Sequence, residues 1–182
     1  MDRCKDPYAA VEVAGLCVKL ERNFQVAALR YFDVKGGFGA AVQDLVGGSL
    51  PEPLRAVELA HAANRSSFIL AWRSPTECML LSEDPAAFAG VQKQLAIRSD
   101  GCFVDQTDGI WALKVGGNRG ADLLLRLGAT ASVPEQGAAR TTRVAELAVL
   151  GLCVRAGEIV LLVERVYADH LFGWIAETLA DF

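Results

Sequence analysis

The sequence predicts an α+β fold in which helices pack on largely antiparallel sheets. Most strand-like runs adjoin a second run across a short turn, as antiparallel hairpins do, and helical segments return at intervals rather than after every strand. A rough βαββα order is also met twice, in approximate halves spanning residues 24–96 and 102–180. At 182 residues the chain suits one domain, and chains of this size bury roughly 70% of the surface they expose when unfolded.

Each element follows from local pattern. Leu16 to Leu20 and Phe24 to Phe32 carry β-favouring residues between polar breaks and read as strands. Gly36-Gly37 releases the chain, and Phe38, Ala41, Val42, Leu45 and Val46 recur at helical spacing before Gly47-Gly48 stops the helix. Leu50 to Arg65, with Pro51 and Pro53, reads as a loop holding at most a short helix or strand. Ser67 to Trp72 and Glu77 to Leu81 form a hairpin with Pro75 in its turn. Ser82-Glu83-Asp84-Pro85 then offers a polar cap and a first-turn proline to a helix bearing Phe88, Val91 and Leu95.

In the second half, Cys102 to Asp105 and Ile110 to Val115 are strands around a Thr107-Asp108-Gly109 turn. A helix follows Gly116-Gly117-Asn118, with Ala121, Leu124, Leu125 and Leu127 on its turns, and ends at Gly128. After a loop over 129–139 come strands at 140–145, 148–155 and 159–163, the last two joined by Ala156-Gly157. A helix from Val166 to Leu179 closes the chain, with Leu171, Trp174, Ile175 and Leu179 on one stripe.

Composition excludes several function classes. A net charge of −4 without a block of basic residues argues against nucleic acid and anionic membranes as partners. The longest apolar run, Ala145 to Val154, is broken by Glu146 and Gly151 and falls far short of the ~20 residues of a membrane span. The charged start, Met1 to Asp6, lacks the apolar stretch of a secretory signal, so a cytoplasmic location is expected. Five cysteines, Cys4, Cys17, Cys78, Cys102 and Cys153, are odd in number and form no CxxC pair, which suits buried free thiols. Mean hydropathy of +0.27 leaves room for apolar surface that a partner covers.

No motif assembles a catalytic centre. His61 and His170 stand in no metal-ligand spacing, and no GxSxG elbow is present. Gly36-Gly37-Phe38-Gly39 and Gly116-Gly117-Asn118-Arg119-Gly120 precede helices but lack the spacing of phosphate-binding loops, and read as strand-to-helix turns. Asp105 and Asp108 flank a turn in which a carboxylate ordinarily satisfies backbone N–H groups. Trp72, Trp111 and Trp174 suit core packing, although Trp with Arg also marks protein interfaces, and Arg outnumbers Lys thirteen to five.

Three segments together resemble one family. Ala71-Trp72-Arg73-Ser74-Pro75-Thr76-Glu77-Cys78-Met79-Leu80-Leu81 is similar to the W-x-x-P-x-E-x-L-L hairpin of the gamma subunit of heterotetrameric sarcosine oxidase. Val104-Asp105-Gln106-Thr107-Asp108-Gly109 resembles its V-D-x-S-D-G turn, with Thr107 in place of serine, and Leu113 to Leu127 resembles the strand, glycine turn and A-x-x-L-L helix that follow. Tyr167 to Ile175 is similar to its closing Y/F-A-x-x-L-x-x-W-L stretch, so the resemblance covers residues 24–180.

That resemblance implies a fold related to the folate-binding domain of aminomethyltransferases. It also implies a chain with no catalytic, cofactor-binding or metal residues of its own, serving as an accessory subunit beside larger alpha- and beta-type oxidase subunits. FAD, FMN, NAD and tetrahydrofolate would then sit on those partners. Where aminomethyltransferases carry an aspartate shortly after the A-x-x-L-L helix, this sequence has Ser132, which cannot supply a carboxylate. Two alternatives remain: a stand-alone folate-binding aminomethyltransferase-like protein in which Asp105 orients a pterin, and a homodimeric structural protein.

Overall fold

The computed structural model describes residues 10–21, 23–61, 66–129 and 133–182. In chain order the first elements are β1 (Val11–Val13), β2 (Leu16–Glu21), β3 (Gln25–Tyr31), α1 (Gly37–Val46), β4 (Ala56–His61), β5 (Ser66–Ser74), β6 (Glu77–Ser82), α2 (Pro85–Leu95) and β7 (Gly101–Asp105). Then follow β8 (Ile110–Gly116), α3 (Gly120–Arg126), β9 (Ala138–Val144), β10 (Leu147–Arg155), β11 (Glu158–Glu164) and, after one 3-10 turn at Arg165–Tyr167, α4 (Ala168–Ala180).

All strand pairs are antiparallel and build two sheets, one ordered β1-β2-β8-β11-β10-β9 and the other β4-β5-β6-β3-β7. The two orders are the same pattern met twice. β8, β11, β10 and β9 stand where β3, β6, β5 and β4 stand, and β2 holds the place beside β8 that β7 holds beside β3. The second half therefore takes its closing strand from ahead of the first half, while residues 101–105 complete the first sheet. The crossing between sheets falls at residues 106–109.

Packing forms four layers. Leu113, Val115, Leu161 and Val163 of one sheet meet Leu123, Leu124, Leu171 and Ile175 of α3 and α4. Leu29, Leu70 and Leu80 of the other meet Phe38, Val42, Phe88 and Val91 of α1 and α2. Between the sheets lies a third core in which Ala28, Ala56, Ala71, Ala112 and Ala139 allow close approach around Met79, Leu81, Leu152 and Leu162. Central strands are thus buried on both faces, which is why β3, β6 and β11 read as continuous apolar runs rather than alternating ones. This internal arrangement accounts for much of the chain's apolar character.

The capping signals act as expected. Asp84 accepts hydrogen bonds from Ala86 N (2.9 Å) and Ala87 N (3.1 Å), with Pro85 in the first turn of α2. Gly47 adopts φ +82° and closes α1. The segment over Leu50 to Arg65, read as a loop holding at most a short helix or strand, holds the short edge strand β4, paired with β5. Two expectations change. The strands flanking Thr107-Asp108-Gly109 lie in different sheets. The tryptophans lie outside the fully buried core: Trp72 and Trp111 are half-buried, and Trp174 is 49% exposed.

Candidate functional site

The turn that carries the chain between the sheets is built from side chains that satisfy backbone. Asp105 Oδ1 accepts from Thr107 N at 2.9 Å. Thr107 Oγ1 accepts from Val26 N at 3.1 Å and donates to Val26 O at 3.4 Å. Gln106 N reaches Val26 O at 2.8 Å, and Gly109 N and Ile110 N both bond Gln106 O. The two carboxylates thereby part company. Asp105 is used by the turn, whereas Asp108 faces a cleft.

That cleft, about 420 Å³, is lined by Glu21, Phe24, Thr107, Asp108, Trp111 and Arg165 among others. Arg165 places its guanidinium 5.4 Å from the centre of the Trp111 ring, and its backbone N–H donates to Gly109 O at 2.8 Å. Glu21 is bound to Lys19 at 2.5 Å and approaches Lys114 at 3.9 Å. The cleft can hold a polar or planar group against Trp111 between charges of both signs. Among its described lining residues, the Thr107 hydroxyl is engaged by the backbone of Val26, while Trp111 and the charges beside it offer binding surface. Arg165 was not a candidate from sequence, because nothing local shows that a residue after β11 will stack on β8.

The glycine-rich segments serve packing. At the start of α1 a carboxylate of the chain itself takes the place an anion would occupy: Asp100 accepts from Phe38 N. Arg98, hydrogen-bonded to it at 2.8 and 2.7 Å, holds Asp100 below the usual carboxylate range. In the second segment Gly117 has φ +112°, and a Cβ there would lie 2.1 Å from Gly15 O in the β1–β2 turn. α3 is only seven residues long and has no side-chain cap.

The other singled-out residues are scattered. His170 lies exposed on α4 with its ring 6.4 Å from that of Trp174. His61 ends β4, and its side chain, like Ser132 and Cys4, lies outside the described residues. Cys78 and Cys153 are buried, and burial pushes both thiols up; Cys17 is half-buried and Cys102 exposed. Among the described residues no three His, Cys, Asp or Glu side chains converge on a metal site. Also among them, no helix is long and apolar enough to cross a membrane.

No family model matches the sequence, and no curated protein matches it either. The fold does have counterparts among solved structures. A chain of heterotetrameric sarcosine oxidase from Corynebacterium sp. U-96, in complex with pyrrole 2-carboxylate, superposes with a TM-score of 0.75 at 22% identity, covering 94% of this chain and 88% of that one. Glycine cleavage system aminomethyltransferase T from Bartonella henselae gives a TM-score of 0.64 at 14% identity, over 91% of this chain. This chain spans only 45% of that protein. These likenesses establish an α+β fold shared with sarcosine oxidase and aminomethyltransferase chains.

Proposed function

We propose that this chain is a gamma-type accessory subunit, without catalytic groups of its own, of a cytoplasmic, multi-subunit, flavin-dependent amine oxidase of the sarcosine oxidase kind. Oxidative demethylation of an N-methylated amino acid would take place on the larger alpha- and beta-type subunits, which would hold FAD, FMN, NAD and tetrahydrofolate. One observation carries this reading. The likeness is close to full length in both directions for a chain of a heterotetrameric oxidase, but reaches less than half of the aminomethyltransferase. Exposed apolar side chains such as Phe32, Val166 and Trp174 supply surface for a partner.

The stand-alone folate-binding alternative draws on the same fold likeness to an aminomethyltransferase. Against it, Asp105, the carboxylate that would orient a pterin, is engaged by Thr107 N. The experiment is co-expression of the tagged chain with the alpha- and beta-type subunits of a heterotetrameric sarcosine oxidase. A stoichiometric complex carrying flavin absorbance, whose isolated small chain leaves tetrahydrofolate fluorescence unchanged, is the expected result. Recovery of the chain alone beside an active oxidase, or micromolar tetrahydrofolate binding with methyl-group turnover, overturns the subunit reading.

A further inference from the structure

Tyr31 at the end of β3 and Trp72 near the end of β5 line a groove of about 490 Å³ with Pro51, Pro53 and Pro75, walled on one side by the first turns of α1. Three observations converge on it. Tyr31 is only 3% exposed, yet among the described residues its hydroxyl has no hydrogen-bond partner, and neither has the indole N–H of Trp72. Both polar atoms are open to solvent rather than sealed in the core, since among the described residues no fully buried side-chain N or O lacks a partner, and they are free to bond a ligand. What remains open of Tyr31 faces this groove.

Exposed apolar residues lie in it and next in the chain to its lining residues. Val34 lines the groove half-exposed, while Phe32 and Leu54, next in the chain to Tyr31 and Pro53, are 89% and 43% exposed. Leu54 is furthermore held at φ +64°, a conformation costly for a branched residue. Its carbonyl is fixed there by Arg140 Nη1 at 2.7 Å and Ala139 N at 2.9 Å. Strain of this sort persists where the surroundings over-determine it.

We propose that this groove seats an extended, proline-containing segment of a partner chain in the polyproline II conformation. Such a segment has no internal hydrogen bonds, so its carbonyls are free to accept from Tyr31 and Trp72, and its flat rings match a wall of aromatic and proline rings. A helix offers no such acceptors along its length. Addition of a strand is excluded by topology, because β3 and β5 are interior strands of the sheet. The lining carries one cation, Lys35, and one anion, Glu52, so an uncharged segment suits it. The groove's preference holds whichever assembly supplies the segment, and goes beyond the subunit reading.

Fluorescein-labelled decaproline titrated into the full chain, followed by anisotropy, is the test. Saturable binding is expected. Tyr31→Phe should weaken it about fivefold, the effect of one net hydrogen bond, and Trp72→Ala should abolish it, while Ile97→Ser on the α2 side leaves it unchanged. Thermal melts followed by circular dichroism identify any variant that fails to fold, and Tyr31→Phe keeps the comparison valid if Trp72→Ala does. Absence of saturable binding, or equal binding by Tyr31→Phe and the parent, overturns the proposal. So does binding of free indole with exclusion of decaproline, which assigns a small-molecule pocket. A dimer in size-exclusion chromatography that Phe32→Ser dissolves assigns these exposed apolar residues to a second copy, and overturns it as well.

Discussion

Arg98 grips Asp100 through two parallel hydrogen bonds, Nε to Oδ1 at 2.8 Å and Nη2 to Oδ2 at 2.7 Å, while the same carboxylate accepts from the backbone of Phe38. The pair ties the segment after α2 to the beginning of α1. Because the folded Asp100 carboxyl sits below its ordinary range, it binds fewer protons than in the unfolded chain near pH 4. Its contribution is therefore present above the unfolded value and lost as pH falls through the folded one. Urea unfolding at about pH 5 and about pH 3 should show a larger drop for the parent than for Asp100→Asn. Exposure keeps the difference small, and molar salt should shrink it further.

Two glycines should respond in opposite directions to alanine. At Gly117 a new Cβ meets Gly15 O at 2.1 Å with φ at +112°, so Gly117→Ala should destabilise by about 3 kcal/mol or more through strain and displacement of the β1–β2 turn. At Gly173, in mid-helix, a Cβ meets nothing within 4 Å. Gly173→Ala should stabilise by about 0.5–1 kcal/mol. Chemical denaturation of both variants checks the contrast.

The β9–β10 hairpin turns on Ala145 (φ +49°) and Glu146 (φ +66°), two residues that adopt the left-handed region at a cost. Ala145 is buried in the core, whereas Glu146 is exposed and glycine adopts its left-handed conformation without cost, so Glu146→Gly should stabilise the fold by about 0.5–1 kcal/mol. The ion pair lost with Glu146, to Arg143 at 3.3 Å, is exposed and contributes little. A rise in thermal midpoint without change in denaturant slope is the expected signature.

Burial, with smaller contributions from Cys78 and Glu77, pushes the Tyr31 hydroxyl up to about 12. The folded chain then holds this proton where the unfolded chain, titrating near pH 10, releases it. Stability from this group is complete below about pH 10 and falls as pH rises toward 12. The loss should be about 1–2 kcal/mol, since the hydroxyl opens onto the groove. Tyr31→Phe should flatten that part of the profile in urea unfolding measured between about pH 9 and about pH 11.

Much of the fold was legible from local pattern because its signals are local. The Asp84 cap with Pro85, the Gly47 stop and the Pro75 and Ala156-Gly157 turns act within a few residues, and the structure places them as read. β4 was legible only as a short helix or strand of undecided type, since an edge strand bonded on one side needs little β-pattern of its own. β1, three residues long, is too short to register. The cleft at Trp111 and the groove at Tyr31 draw on residues 144 and 44 positions apart respectively, from Glu21 to Arg165 and from Tyr31 to Pro75, and no local signal spans such distances.

The sequence by itself determined most of the elements, the antiparallel hairpins and the repetition of one order in two halves, because each depends on backbone preference and nearby side chains. Only the tertiary structure decided that β2 closes the second half's sheet and β7 the first's, and that the two sheets stack through an alanine-lined core. It also decided that Asp105 is consumed by its own turn while Asp108 faces a cleft. Those outcomes rest on contacts between residues distant in the chain, whose energies appear only when both partners are in place.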